Sequence, residues 1–243
     1  KENRVGNTFP EVIAKPFYRS LYFGSPPARG GSADENKKAM PQAYLIEQPA
    51  NSEVAAHFHD TNQFQVFVHG KGAFGKKPFD GVMVHYAKAH TTYGPISAGD
   101  DGAHYMTLRN NWDSGAKLMP ANRDKLRKIK RLHRVAEEVP VPDAAALKSV
   151  AVETADLIPL EEDGLGVRQF NIGPGHECAI TLETNGAGGY AYVVGGSVRY
   201  DGDEYETKSL IYRAHDDAPL AVKGGTEGAS VLLLQFPPEP DGE

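Results

Sequence analysis

Hydrophobic and polar positions along most of this chain alternate over short runs broken by turn residues, the period of half-buried β-strands. From Ala43 onward such runs recur at Ala43–Ile46, Phe64–Val68, Val82–Tyr86 and Tyr105–Leu108. They return at Ala179–Glu183, Tyr190–Val194, Ser197–Tyr200, Leu210–Tyr212 and Val231–Phe236. Residues 1–40 are mixed, punctuated by Pro26-Pro27 and Gly30-Gly31, and read as an extended arm with a strand around Phe17 to Phe23. Helical spacing appears in Arg123 to Glu138, where Leu126, Ile129, Leu132 and Ala136 recur among lysines and arginines; Pro140 and Pro142 end it. A short basic linker helix is therefore expected there, as a solvated face and not a nucleic-acid element.

The second half lies over the first at a constant offset of 126 residues, which sets Val68 on Val194, Gly70 on Gly196, Tyr86 on Tyr212, Gly99 on Gly225, Gly102 on Gly228 and Leu108 on Leu234. Glycines matched in this way suit turns that need positive φ. A repeat of roughly 90 residues is too long for a solenoid unit and right for a small domain. The expected organisation is an arm (1–40), a first barrel (41–115), a linker (116–150) and a second barrel (151–243).

Composition changes this picture little. Hydrophobic residues are 40% and charged residues 24% of 243, with 26 glycines, 17 prolines and a formal net charge of -6. That balance gives no reason to expect nucleic acid or an anionic membrane as a partner. No apolar run approaches the roughly 18 residues of a membrane span. One cysteine, Cys178, cannot form an internal disulfide, so a cytoplasmic location is the expectation, with Cys178 a buried, inert thiol. Gly70-Lys71-Gly72-Ala73-Phe74-Gly75 matches the dinucleotide fingerprint, yet Lys76-Lys77-Pro78 leads into another strand and no helix follows to receive a pyrophosphate.

The candidate chemistry is histidine. Six of the nine histidines fall between positions 57 and 104. On a strand His57 and His59 point to one face, and Gln63 and Gln65 on the next strand present amides while Phe64, Val66 and Val68 form the apolar face. Neutral imidazoles with an amide oxygen can hold zinc, iron, nickel or copper.

Here the chain resembles the cupin superfamily: His57-x-His59, three residues, Gln63, six residues and Gly70 follow the first cupin motif, with glutamine where the family usually has glutamate and Asn51 where its opening glycine would be. The resemblance implies an all-β fold of two cupin-type jelly-roll barrels and a homodimer. It also implies one divalent metal ion (iron, nickel, manganese or zinc) on His57, His59 and Gln63. Counted from Gly81, Thr92 takes the place of the family's last ligand histidine, so His90 is the candidate fourth ligand, with His104 and His85 behind it. In the second copy Glu183, Asn185 and Gly189 stand at the metal positions, which implies a barrel without metal, serving packing and dimerisation. The leading expectation is an oxygenase-type enzyme acting on a small anionic or phenolic compound. A non-enzymatic small-molecule-binding or sensing bicupin, and a metal-assisted sugar or carbonyl isomerase or lyase, are the alternatives.

Overall fold

The computed structural model describes residues 3–25 and 40–239, and these fold almost wholly as antiparallel β-structure. Two compact units emerge, Lys1–Val139 together with the terminus from Glu239, and Pro140–Pro238.

The first unit contains β1 (Arg4–Asn7), β2 (Phe17–Phe23), β3 (Gln42–Gln48), β4 (Glu53–Val54), β5 (His57–Phe58), β6 (Gln63–Phe74), β7 (Lys77–Asp80), β8 (Met83–Ala87), β9 (Ile96–Arg109), β10 (Lys117–Leu118) and β11 (His133–Ala136). Among the described residues, nine of these join in one sheet of order β1-β2-β3-β9-β6-β8-β11, with β4 on β9 and β7 on β6, while β10 pairs with β5. The second unit holds one α-helix, α1 (Ala144–Lys148), and then β12 (Val152–Ile158), β13 (Gly166–Ile172), β14 (Glu177–Ile180), β15 (Gly189–Tyr200), β16 (Asp203–Glu206), β17 (Leu210–Arg213) and β18 (Leu220–Gln235). Its order is β12-β13-β18-β15-β16, with β14 on β18 and β17 on β15.

The two units repeat each other down to the register. Phe64 faces Leu108 and Gly70 faces Ala103 in the first; Tyr190 faces Leu234 and Gly196 faces Ala229 in the second, with bulges at the same two places. Gly70 (φ +87) and Gly196 (φ +65) form those bulges, and a Cβ on either would lie 2.0 or 2.1 Å from the carbonyl oxygen of Gly102 or Gly228. Gly99 and Gly225 differ from expectation. They sit inside strands without positive φ, and what excludes a side chain there is close approach to Lys71 and Ser197.

The basic linker helix is not present. Arg123–Lys125 form a single 3-10 turn, Asn122 supplies no side-chain cap, and Leu126 is already extended. His133–Ala136 then joins the first sheet as β11, opposite Val84–Ala87 of β8. Like charges at i,i+4, Arg123 with Arg127 and Arg127 with Arg131, oppose a helix, and the edge of β8 offers backbone partners instead. The helix that does form is α1, whose start is capped by Asp143 accepting from the Ala146 N–H at 2.8 Å. The Gly70–Gly75 segment runs through β6 into the β6–β7 hairpin, so no helix N-terminus follows it. No helix among the described residues is long and apolar enough to cross a membrane.

Candidate functional site in the first barrel

Strand register stacks the inward side chains of the first unit in rows. Ile46, Tyr105, Phe67 and Met83 form an apolar row across β3, β9, β6 and β8. Next to it lies a polar row, Tyr44, Thr107, Gln65 and His85, and at the strand ends Gln42 faces Arg109 while Gln63 faces Ala87. These rows bound a cavity of about 590 Å³, lined on its polar side by His57, His59, Gln63, Gln65, Tyr93 and Arg109, and on its apolar side by Phe9, Ile13, Phe17, Ile46 and Val54. Phe9 and Ile13 come from the loop between β1 and β2, which the Ile13–Val54 bridge holds against the barrel.

Hydrogen bonds inside the cavity have a definite direction. A backbone carbonyl can only accept, so the 2.7 Å contact of His57 Nδ1 with Ala55 O puts the ring proton on Nδ1. His57 Nε2 then accepts from the Tyr93 hydroxyl at 3.0 Å. That hydroxyl accepts from Gln63 Nε2 at 2.6 Å. The Gln63 amide oxygen accepts from Arg109 Nε at 3.0 Å and Nη2 at 2.5 Å. The third Arg109 nitrogen, Nη1, donates to Gln42 Oε1. His59 Nδ1 lies 2.7 Å from Asp113 Oδ1, and Asp113 also receives the N–H groups of Asp60 and Gly115. Beside it, Lys117 reaches Asp60 at 2.6 Å and Asp113 at 3.7 Å.

The electrostatics follow from burial. Desolvation lowers the His57 pKa to about 4, and desolvation with the Arg109 charge lowers that of His59 to about 3, so both rings are neutral near pH 7. Burial alone would raise Asp113, but His59, Arg109 and Lys117 hold it far below the usual carboxylate range. Burial alone would lower Arg109, but Tyr44, Asp113 and Tyr93 outweigh it, leaving the guanidinium charged. Burial keeps Tyr93 protonated.

No protein-family model matches the sequence, and no curated protein matches it at a significant level. Solved structures do match. A candidate dioxygenase from Nostoc punctiforme gives a TM-score of 0.65 at 11% identity, over 96% of this chain and 79% of that one. Bacillus subtilis oxalate decarboxylase, as a SENS161-164DSSN mutant, gives 0.59 at 11%, over 99% and 77%. The Escherichia coli pirin YhhW in complex with nickel(II) gives 0.54 at 11%, over 98% and 96%. The fold is that of the cupins.

Within this cupin barrel the structure brings His57, His59 and Gln63 together and leaves His90 apart. His90 has φ +57, packs its ring on Phe58 at 5.6 Å and has its Nε2 3.9 Å from Asp60. Phe58 alternates with His57 and His59, so His90 lies on the face turned away from the cavity. His104 faces His69 on the outside of β9 (ring centroids 4.6 Å apart), and His85 stands behind Gln65, with Nδ1 3.1 Å from its oxygen. The residue that takes the inward place opposite His57 is Tyr93, one beyond Thr92, fixed by a reciprocal pair of 3.0 Å backbone bonds with His57. Sequence reasoning did not find Tyr93 or Arg109. The signal for Arg109 was its place in the Tyr105, Thr107, Arg109 alternation of β9.

A cupin metal would need these same groups. Two features suit it: both imidazoles anchor Nδ1–H on an acceptor and turn Nε2 inward, the tautomer of a ligating histidine. The rest does not. Gln63 gives its oxygen to Arg109, Tyr93 holds His57 Nε2, and no group of three or more His, Cys, Asp or Glu among the described residues is arranged for a metal. A divalent ion about 4 Å from a guanidinium meets roughly 8 kcal/mol of repulsion at an effective dielectric constant of about 20. The donor set as arranged fits the guanidinium and not a metal ion.

In the second barrel Thr107, Gln65 and His85 are replaced by Leu233, Ala191 and Ile211 in the equivalent row, and the pocket beside Glu183, Leu233 and Gln235 is only about 20 Å³. At the place of Arg109, Gln235 ties backbone, from Gln235 Nε2 to Gly164 O at 2.7 Å and from Glu183 N to Gln235 Oε1 at 2.6 Å.

Proposed function

We propose that the first barrel is a binding chamber for a small organic anion, a carboxylate or phenolate carrying an apolar body, and that the protein is a small-molecule-binding or sensing bicupin. The observation that carries this reading is the buried guanidinium of Arg109 among neutral donors at one end of a cavity of about 590 Å³ whose other wall is aromatic and aliphatic. A charged donor in a desolvated site binds an anion far more strongly than it would in water. Neutral His57 and His59 do not compete for that charge, while the Gln65 amide on the cavity wall adds direction. Phe9, Ile13 and Phe17 give the apolar body a dry surface. In this reading the second barrel serves packing, the assembly is a homodimer and the location is cytoplasmic.

A metal-dependent oxygenase acting on the same class of compound is the second reading. It is supported by the inward Nε2 atoms of His57 and His59 and by the dioxygenase and nickel-bound protein among the similar folds. It ranks second because its metal needs donors that Arg109 and Tyr93 hold.

Isothermal titration of the purified protein with benzoate, phenylacetate, 4-hydroxybenzoate and catechol, beside their neutral amide or ether analogues, tests the binding reading. Saturable binding of at least one acid at equimolar stoichiometry, absent for its neutral analogue, is expected. Equal binding of acids and neutral analogues, or no binding of any acid, overturns it.

A further inference from the structure

We infer that Arg109 is a chain-borne substitute for a barrel metal, and that Gln63 and Tyr93 are matched to it as a set. Arg109 leaves the end of β9 beside Gln63 and directs Nε and Nη2 at the amide oxygen that a metal would otherwise take. The glutamine then becomes a requirement. It accepts from Arg109 through Oε1 and donates to Tyr93 through Nε2, and a glutamate could do only the first. Tyr93 in turn accepts from Gln63 and donates to His57 Nε2 through a single oxygen, whereas a neutral histidine would have to make the two bonds through two separate ring nitrogens. The chain Arg109 to Gln63 to Tyr93 to His57 to Ala55 thus runs in one direction with every proton assigned.

The second barrel supplies an internal comparison. There Arg109, Gln63 and Tyr93 are replaced together, at the offset of 126 residues, by Gln235, Gly189 and Pro219. When the guanidinium goes, its two partners go with it. In the first barrel a positive charge is present at all working pH values without any metal supply. The consequence is that metal exclusion is written into three side chains, and reversing them should admit a metal.

The test compares the parent with the triple variant Gln63→Glu, Tyr93→His, Arg109→Met. Each is reconstituted with nickel, zinc, manganese or iron(II), desalted and subjected to elemental analysis, with circular dichroism as the check on folding. The parent should retain less than about a tenth of a metal ion per chain, and the triple variant about one, lost again when His57→Ala is added. Near-stoichiometric metal in the parent that His57→Ala removes would overturn the inference, and needs no redesigned chain to fold. A folded triple variant that takes no metal would also overturn it. The inference rests on the same cavity as the proposed function but not on its ligand. Failure of the acid titration leaves the metal result standing, and a metal-loaded parent leaves the acid titration to be judged by itself.

Discussion

Gln63 receives two N–H groups of Arg109 on one amide oxygen and gives its own N–H to the Tyr93 hydroxyl. Replacing it with glutamate, the residue the cupin motif ordinarily carries, neutralises the guanidinium and leaves Tyr93 without its donor. Gln63→Glu should therefore weaken binding of an organic acid by about tenfold or more, because the ligand then competes with a buried carboxylate for the same cation. Titration of the variant with the tightest acid of the panel measures this. Unchanged affinity would show that the anion does not engage Arg109.

The glycines at the bulges give a prediction on stability. Gly70→Ala and Gly196→Ala each place a Cβ within 2.0 or 2.1 Å of a backbone oxygen at positive φ, whereas Gly81, with φ +85, has nothing within 4 Å. Gly70→Ala and Gly196→Ala should each cost more than about 3 kcal/mol, and Gly81→Ala about 1 kcal/mol from its backbone conformation alone. Urea unfolding of the three variants gives the comparison. Similar costs at all three would mean that the close approach is relieved by a small backbone shift.

Those glycines also explain how much was legible in the sequence. A constant offset survives because each bulge demands glycine for a local steric reason, so the fold could be read from Gly70, Gly102, Gly196 and Gly228. The convergence of His57, His59 and Gln63 was legible because strand alternation alone sets it. Arg109 and Tyr93 were hidden because long-range pairing puts them in the site: Gln42 opposite Arg109 across β3 and β9, and Tyr93 opposite His57. His90 was misplaced by counting along a strand that in fact turns through a left-handed residue. The basic segment had helical spacing, but β8 had an open edge, and the periodicity of Leu126, Ile129 and Leu132 carried no information about that competitor.

Acid should loosen the first unit as its buried imidazoles take up protons, opposed in part by Glu239, whose carboxyl burial raises to about 7 so that it is protonated more readily in the fold. Unfolded imidazoles take up protons near pH 6.5, whereas folded His57 and His59 do so only near 4 and 3, and buried His85 is held well below its usual value. Between those limits the unfolded chain binds more protons, so this stability is complete above about pH 6.5 and falls as pH drops. Asp113, held low in the fold, adds a further loss only below its ordinary value of 3.8. Urea midpoints at pH 7 and pH 5 should differ by about 2 kcal/mol or more in unfolding free energy. A flat profile over that range would mean these rings are solvated in the folded state.

The charge and the shape of Arg109 can be separated by two substitutions. Arg109→Met removes the charge, and it leaves Gln63 Oε1 and Gln42 Oε1 without the donors they have now, so some loss of stability comes with it. Arg109→Lys keeps a charge but reduces the planar fork to a point donor that cannot reach Gln63 and Gln42 in the same geometry. If the anion pairs with the guanidinium, affinity for the tightest acid should fall by roughly 10- to 100-fold in Arg109→Met and by less in Arg109→Lys. Binding of a neutral analogue should be equally weak in all three proteins. That ordering separates a lost ion pair from a collapsed cavity, since collapse would lower acid and neutral compound alike, and a cavity that kept full acid affinity without either cation would remove Arg109 from the site. Circular dichroism and the urea midpoint of each variant, measured on the same preparations, show which protein is folded when the titration is read.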